Sequence, residues 1–218
     1  MNFWLPGPKA VVAGIGSRNI SVAEWQLLAA TGAWVLSHNG ALRSGGAIGA
    51  DTAWIGRADI HPARVTVCLP EAPASLSAVA RQRLPTGIQL EGPPYPPWCE
   101  ALAVAEWTFG ERLCEVGLPP YTEPSVLAEF EARRGWRALR NRAVGAYIQQ
   151  LMIRNARIIF PEEGRPVDLV LGMLGSTPSG GGTGHGFRLA RAAGVPTFDL
   201  RDADVLAAAR AALRQRLG

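Results

Sequence analysis

The sequence predicts an α/β protein: a Rossmann-like, three-layer fold with a mostly parallel sheet and a helical insertion at about 90–150. Three observations carry this. Short apolar runs alternate with helical segments in strand–helix–strand–helix–strand order from residue 9 to 69. Glycine-rich clusters stand where strands turn into helices, at Gly14–Arg18, Ser44–Asp51 and Gly180–His185. The strand–helix alternation then returns near residue 167, so right-handed crossovers bring the glycine corners to one carboxyl edge of one sheet. Residues 1–218 are read as a single domain.

The elements follow in order. Lys9 to Ile15 is a short apolar run ending in Gly16-Ser17-Arg18, a buried strand entering a tight turn. Ser21 with Glu24 forms a capping box for a first helix, with Trp25, Leu28 and Ala29 as its inward stripe and Gly40 as terminator after Asn39. Ala41 to Arg43 is a short second strand. A second helix starts near Gly49 and holds Thr52, Trp54 and Ile55, and Arg64 to Leu69 is a third strand stopped by Pro70. Gly92 to Pro97 is a stiff connection. Trp98 to Phe109 has helical spacing, Gly117 to Pro120 breaks it, and Ser125 to Ile153 is helical again with an interruption near Gly135. Val167 to Met173 returns to strand character and leads into the third glycine cluster. His185 to Ala193 is a helix closed by Gly194, Val195 to Leu200 a strand, and Ala203 to Leu217 a terminal helix.

Composition narrows the function classes. With 48% hydrophobic residues the chain can bury a sizeable core. No apolar run approaches the roughly 18 residues of a membrane span. The N-terminus lacks the pattern of a secretory signal, so a cytoplasmic location with no membrane partner is expected. Cys68, Cys99 and Cys114 form neither a paired framework nor metal-ligand spacing, and no metal site is expected. Residues 129–218 hold 14 basic and 8 acidic side chains, whereas residues 1–128 hold 8 and 10. That imbalance suits a phosphate-bearing partner, but a net charge of +4 is modest for a dedicated DNA binder, so nucleic acid is possible without being favoured.

The glycine corners carry the chemistry. Glycine lets the backbone approach an oxyanion, and the free N–H groups of a helix's first turn can hold phosphate. A P-loop is excluded, because no Gly-x-x-x-x-Gly-Lys-Ser/Thr is present. Gly14-x-Gly16 lacks the third glycine of a dinucleotide fold, and no acidic residue ends the second strand, which argues against ordinary NAD-dependent chemistry. Ligand-contact candidates are Gly16, Ser17, Arg18, Ser44, Gly45, Gly46, Gly49, Asp51, Arg154, Asn155, Gly181, Gly182, Thr183 and Gly184. Ser17 and Ser44 can donate to phosphate or cap helices. Arg18 can grip an anion or an internal carboxylate. Asp51 can meet ribose hydroxyls or serve its own helix start. Trp98, Trp107 and Trp136 read as core or dimer contacts.

Gly16-Ser17-Arg18, Ser44-Gly45-Gly46-Ala47-x-Gly49-Ala50-Asp51, and Gly181-Gly182-Thr183-Gly184 with Arg188-Leu189-Ala190 and Gly194-Val195-Pro196 resemble the SLOG superfamily. Its members include the DNA-processing protein DprA, the lonely-guy phosphoribohydrolases and small DprA-like proteins of bacteria and phages. Arg154-Asn155 and Pro166-Val167-Asp168 resemble that last group most. The resemblance covers residues 9–69 and about 150–200. It implies a pocket for a nucleotide or nucleotide derivative, such as a nucleoside phosphate or an ADP-ribose-like molecule, with no further cofactor, and a possible homodimer. Matching the phosphoribohydrolase motif Pro-Gly-Gly-x-Gly-Thr-x-x-Glu onto Pro178 to Thr183 puts Gly186 where that family has its glutamate. Nucleotide binding is therefore the expected function. The alternatives are hydrolysis of an N-glycosidic or phosphate bond, with Glu162, Asp168 and His185 as acid–base candidates, and DprA-like binding of single-stranded DNA in recombination or DNA uptake.

Overall fold

The computed structural model describes residues 7–77, 81–116, 118, 142–176 and 181–217. A six-stranded sheet lies at the centre, every neighbouring pair parallel. β1 (Val11–Gly16) and β5 (Leu169–Met173) are adjacent, with Val12 opposite Leu169. β2 (Ala41–Ser44), β3 (Val65–Cys68) and β4 (Gln89–Glu91) extend one side, and β6 (Thr197–Asp199) the other. The order β4-β3-β2-β1-β5-β6 reverses direction between β1 and β5, the switch point where open α/β sheets leave a crevice.

Two cores follow from the period-2 alternation of side chains along the strands. Val12, Leu42, Val65, Val67, Leu169 and Leu171 face one side, under α1 (Val22–Ser37), α2 (Ala50–Trp54) and α7 (Ala203–Leu217). Ala13, Ile15, Cys68 and Val170 face the other, under α3 (Pro97–Phe109), α5 (Arg142–Ile159) and α6 (Gly181–Ala192). A four-residue helix, α4 (Leu113–Val116), follows α3. This is the α/β three-layer arrangement that the strand–helix alternation predicts. The region read as a helical insertion supplies α3 and α5, which form the second outer layer together with α6.

Local signals place most boundaries. Ser21 caps α1: its hydroxyl accepts from Glu24 N at 3.2 Å, and the Glu24 carboxylate accepts from Ser21 N at 2.6 Å. Leu28 and Ala29 are buried as expected, but Trp25 is 41% exposed. α6 begins at Gly181, four residues before the expected His185, so the glycine cluster is the first turn of the helix itself. β4 carries no strand signal in sequence, being three residues between Gly87 and Gly92. It is held from outside: Leu69 N donates to Glu91 O at 2.7 Å, and Tyr95 Oη donates to Leu69 O at 2.6 Å. The expected break at Gly117–Pro120 is described only at Leu118. The helical segment expected from Ser125 lies outside the described residues up to 141, and α5 continues past Ile153 to Ile159.

Glu91 also anchors α5. Its Oε2 accepts from Arg43 Nη2 at 3.0 Å and from Arg157 Nε at 2.8 Å, while Arg43 donates to the Arg157 carbonyl at 3.1 Å. Burial opposes the charge on Glu91, but the two guanidinium groups hold its carboxyl below the usual range. The carboxyl-terminal turn of α5 is thereby tied to β2 and β4. Among the described residues, no helix is long and apolar enough to cross a membrane.

Candidate functional site

A cavity of about 540 Å³ opens at the carboxyl ends of β1 and β5. Its polar side is built from three pieces of backbone. The turn after β1 contributes Gly16, Ser17 and Arg18; the turn after β2 contributes Ala47 and Asp51; the first turn of α6 contributes Gly181, Gly182 and Thr183. Its apolar side is Ile148, Leu151 and Met152 of α5, with Trp107 at the end of α3. Trp107 is 38% exposed.

The two glycine turns after β1 and β2 are locked together. Ala50 N donates to Ser17 O at 3.0 Å, and Ser17 N donates to Met173 O at 2.9 Å. Gly49 sits at φ 107°, where an added Cβ would stand 2.6 Å from the Arg18 carbonyl oxygen. Only glycine satisfies both the conformation and the approach. The Ser17 hydroxyl accepts from Asn19 N at 3.1 Å, which fixes the turn that presents Arg18. Arg18 is exposed and, among the described residues, has no ion-pair partner.

Asp51 and Arg154 form a buried pair under the cavity, 3.3 Å apart. Asp51 also accepts from Gly16 N at 3.2 Å and Ala47 N at 3.4 Å, so one carboxylate clamps both turns. Burial pushes its carboxyl above the usual range, against the pull of Arg154 and the two amides. Gly45 makes room for this pair: a Cβ there would collide with Arg154 Nη1 and with the Asp51 carboxylate. Asn155, the next residue of α5, donates from Nδ2 to Gly182 O at 2.9 Å and sets the start of α6 against the cavity.

The expected contact residues thus divide into three groups. Gly16, Ser17, Arg18, Asp51, Arg154, Asn155, Gly181, Gly182 and Thr183 line the main cavity. Gly45 and Gly46 line an adjoining lobe of about 320 Å³, together with Arg18 and Arg154. Ser44, Gly49 and Gly184 line neither. Ser44 is buried, donating to Gly14 O at 2.7 Å and to Asp51 O at 3.2 Å. Gly184 is buried within α6.

The three acid–base candidates stand apart from the cavity. Asp168 precedes β5 and accepts from Val11 N at 2.7 Å, which puts it at the amino edge of the sheet. That is one strand length away, roughly 15 Å. Glu162 is on the same edge, exposed and paired with Arg165 at 3.0 Å. His185 is 1% exposed and lies inside the helical layer, 3.2 Å from Glu106 but out of hydrogen-bond alignment with it. Glu106 is also bonded by Arg188. Burial, and then the nearby Arg188 and Arg154, push the imidazole down to about 3, so it is neutral. Gly186, where the phosphoribohydrolases carry glutamate, packs against β1, and a Cβ there would stand 2.8 Å from Ile15 Cδ1. Pro178, Ser179 and Gly180 lie outside the described residues.

The apolar wall of the cavity lies outside the contact residues expected from sequence. Trp107, read as a core or dimer contact, lines it; Trp98 packs beneath Arg157, 5.8 Å from guanidinium carbon to ring centre; Trp136 lies outside the described residues. The wall contributed by α5 has a sequence signal. Ile148, Met152 and Asn155 recur at i, i+4 and i+7, and so do Tyr147, Leu151 and Arg154. Among the described residues no group of three or more His, Cys, Asp or Glu side chains could hold a metal ion.

The sequence matches no protein-family model and no curated protein. The fold is similar to that of DNA processing protein A from Helicobacter pylori, whose structure was described for its single-stranded DNA binding mode. The likeness has a TM-score of 0.49 at 14% identity, covers 88% of this chain, and spans 65% of the length of that one.

Proposed function

We propose that the carboxyl edge of the sheet binds a nucleotide or nucleotide derivative. One observation carries this reading: at the β1–β5 switch point, the first turn of α6 and the exposed Arg18 line a cavity whose other wall is apolar and includes Trp107. The first turn of α6 offers N–H groups that a helix cannot satisfy internally, and its dipole favours negative charge there. Arg18 supplies the formal charge and a bidentate fork. Trp107 and Met152 offer flat, polarisable surface to a base. A phosphate at the α6 start with a base against α5 uses both walls at once.

Titration calorimetry with AMP, ADP and ADP-ribose tests it. At least one ligand is expected to bind with one site per chain, and Arg18→Ala is expected to weaken that ligand about 10- to 100-fold, the worth of a charge-assisted hydrogen bond. No heat with any of the three, or an Arg18→Ala variant that binds equally well, would refute the reading.

A second reading, a single nucleic-acid strand lying across the same edge, is supported by charge. Arg18 and Arg83 are exposed beside the two adjoining lobes, in a chain of net charge +4. Phosphate contacts would make such binding steeply salt-dependent. A shift assay with a single strand at low and moderate salt separates the two, since a mononucleotide with one phosphate contact loses far less affinity over that range. A hydrolytic reading has weaker support, because Glu162, Asp168 and His185 do not face the cavity; the carboxylate that does, Asp51, is engaged by Arg154 and two amides.

A further inference from the structure

The main cavity and its smaller neighbour share a wall. Arg18, Ala47, Leu151 and Arg154 line both. α5 lies along the two together, and its helical spacing divides between them. Ile148, Met152 and Asn155 line the larger lobe, Tyr147 lines the smaller one, and Leu151 and Arg154 on the Tyr147 stripe border both. Each lobe thus has an aromatic side chain in its lining. Trp107 is 38% exposed at the first, and Tyr147 is 49% exposed at the second. The partition between them is cationic. Arg18 projects there without an ion-pair partner among the described residues. Arg154 is buried there, and its Nε has no hydrogen-bond partner, an unused donor within the dividing wall. Arg83 adds a second exposed guanidinium at the smaller lobe, beside the single carboxylate of Glu71.

Ring, cation, ring is a definite chemical demand. A mononucleotide satisfies only half of it, leaving an exposed tyrosine and an arginine facing an empty lobe. We infer that the edge accepts a ligand of two nucleoside units bridged by phosphate, one base against Trp107, the other against Tyr147, and the bridge at Arg18. This rests on the nucleotide reading of the main cavity and extends it to the second lobe. Both lobes fall within the roughly 300–1,000 Å³ typical of small-ligand sites. The chemistry is shared by a free dinucleotide and by a dinucleotide step of a strand.

The test compares AMP with the 5′-phosphorylated dinucleotide pApA on the wild-type chain and on Tyr147→Ala and Arg83→Ala. Both side chains are exposed, and AMP binding reports that each variant keeps its main cavity. The dinucleotide is expected to bind at least about tenfold more tightly than AMP. Tyr147→Ala is expected to weaken pApA by about tenfold, as loss of one base stack does, and AMP by less than about twofold. Arg83→Ala is expected to follow the same pattern. Equal affinity for AMP and pApA, or variants that weaken neither or both alike, would overturn the two-unit ligand and leave the nucleotide site standing. If neither compound binds, the nucleotide reading fails and this inference with it. A long oligoadenylate strand identifies the source: affinity no greater than that of pApA assigns a free dinucleotide, and affinity more than about tenfold greater assigns a strand. Either result upholds two occupied lobes.

Discussion

Gly45 is the smallest residue with the largest duty, because the Arg154 guanidinium occupies the space a side chain would take. Gly45→Ala is expected to push Arg154 off Asp51, leaving two buried charges apart. The cost is about 3 kcal/mol, seen as a lower midpoint in urea unfolding together with lost ligand binding. His185 makes a prediction about pH. Its imidazole is held down to about 3 in the fold, mainly by burial, against 6.5 for an unperturbed group. A depressed pKa gives stability that is complete above the unfolded value and is lost as acid is added. The protein is therefore expected to weaken progressively from pH 6.5 downward towards 3. His185→Gln removes the titrating group, so its unfolding free energy should vary less over this interval. A variant as acid-sensitive as the wild type would refute the assignment.

At the level of elements, the ends of α1 and α5 are secured in different ways. Ser21→Ala deletes half a capping box and is expected to cost about 1 kcal/mol, measurable as a small drop in Tm with binding unchanged. Glu91→Gln removes the anion shared by Arg43 and Arg157 and is expected to cost about 3 kcal/mol. Because α5 walls the cavity, ligand affinity should fall as well, which separates this variant from Ser21→Ala. The contrast also explains what can be read from sequence. The run from β1 to β3 is legible because its boundaries carry local signals: the Ser21–Glu24 pair, the glycine corners, Pro70 after the third strand. β4 is not legible, since its three residues are recruited by Leu69, Tyr95 and Arg43 from elsewhere in the chain. The same division holds in the site. Backbone-built parts such as Gly16 to Arg18 announce themselves through glycine. The apolar wall is less legible: the helical spacing of Ile148, Met152 and Asn155 marks a face of α5 but not what it covers, and Trp107 looks like a core residue until the end of α3 is seen beside the cavity.

For the molecule as a whole, a ligand at the sheet edge would be linked to stability, because that edge exists only in the folded state. A nucleotide at about 100 times its Kd is expected to raise the unfolding free energy by about 2.7 kcal/mol. Arg18→Ala should remove about half or more of that gain at the same ligand concentration while leaving the unliganded Tm unchanged, because Arg18 is exposed. Differential scanning fluorimetry with and without ligand checks both. The adjacency of β1 and β5 has a temporal consequence. Val12 and Leu169 are neighbours across the sheet although more than half the chain separates them. Such a pairing closes a very long loop and is slow to form. During synthesis β1 and its glycine turn emerge early and wait as an unfinished edge until β5 and α6 follow them. The crevice is therefore among the last features to be assembled, and a ligand held there would mark a chain that has finished folding.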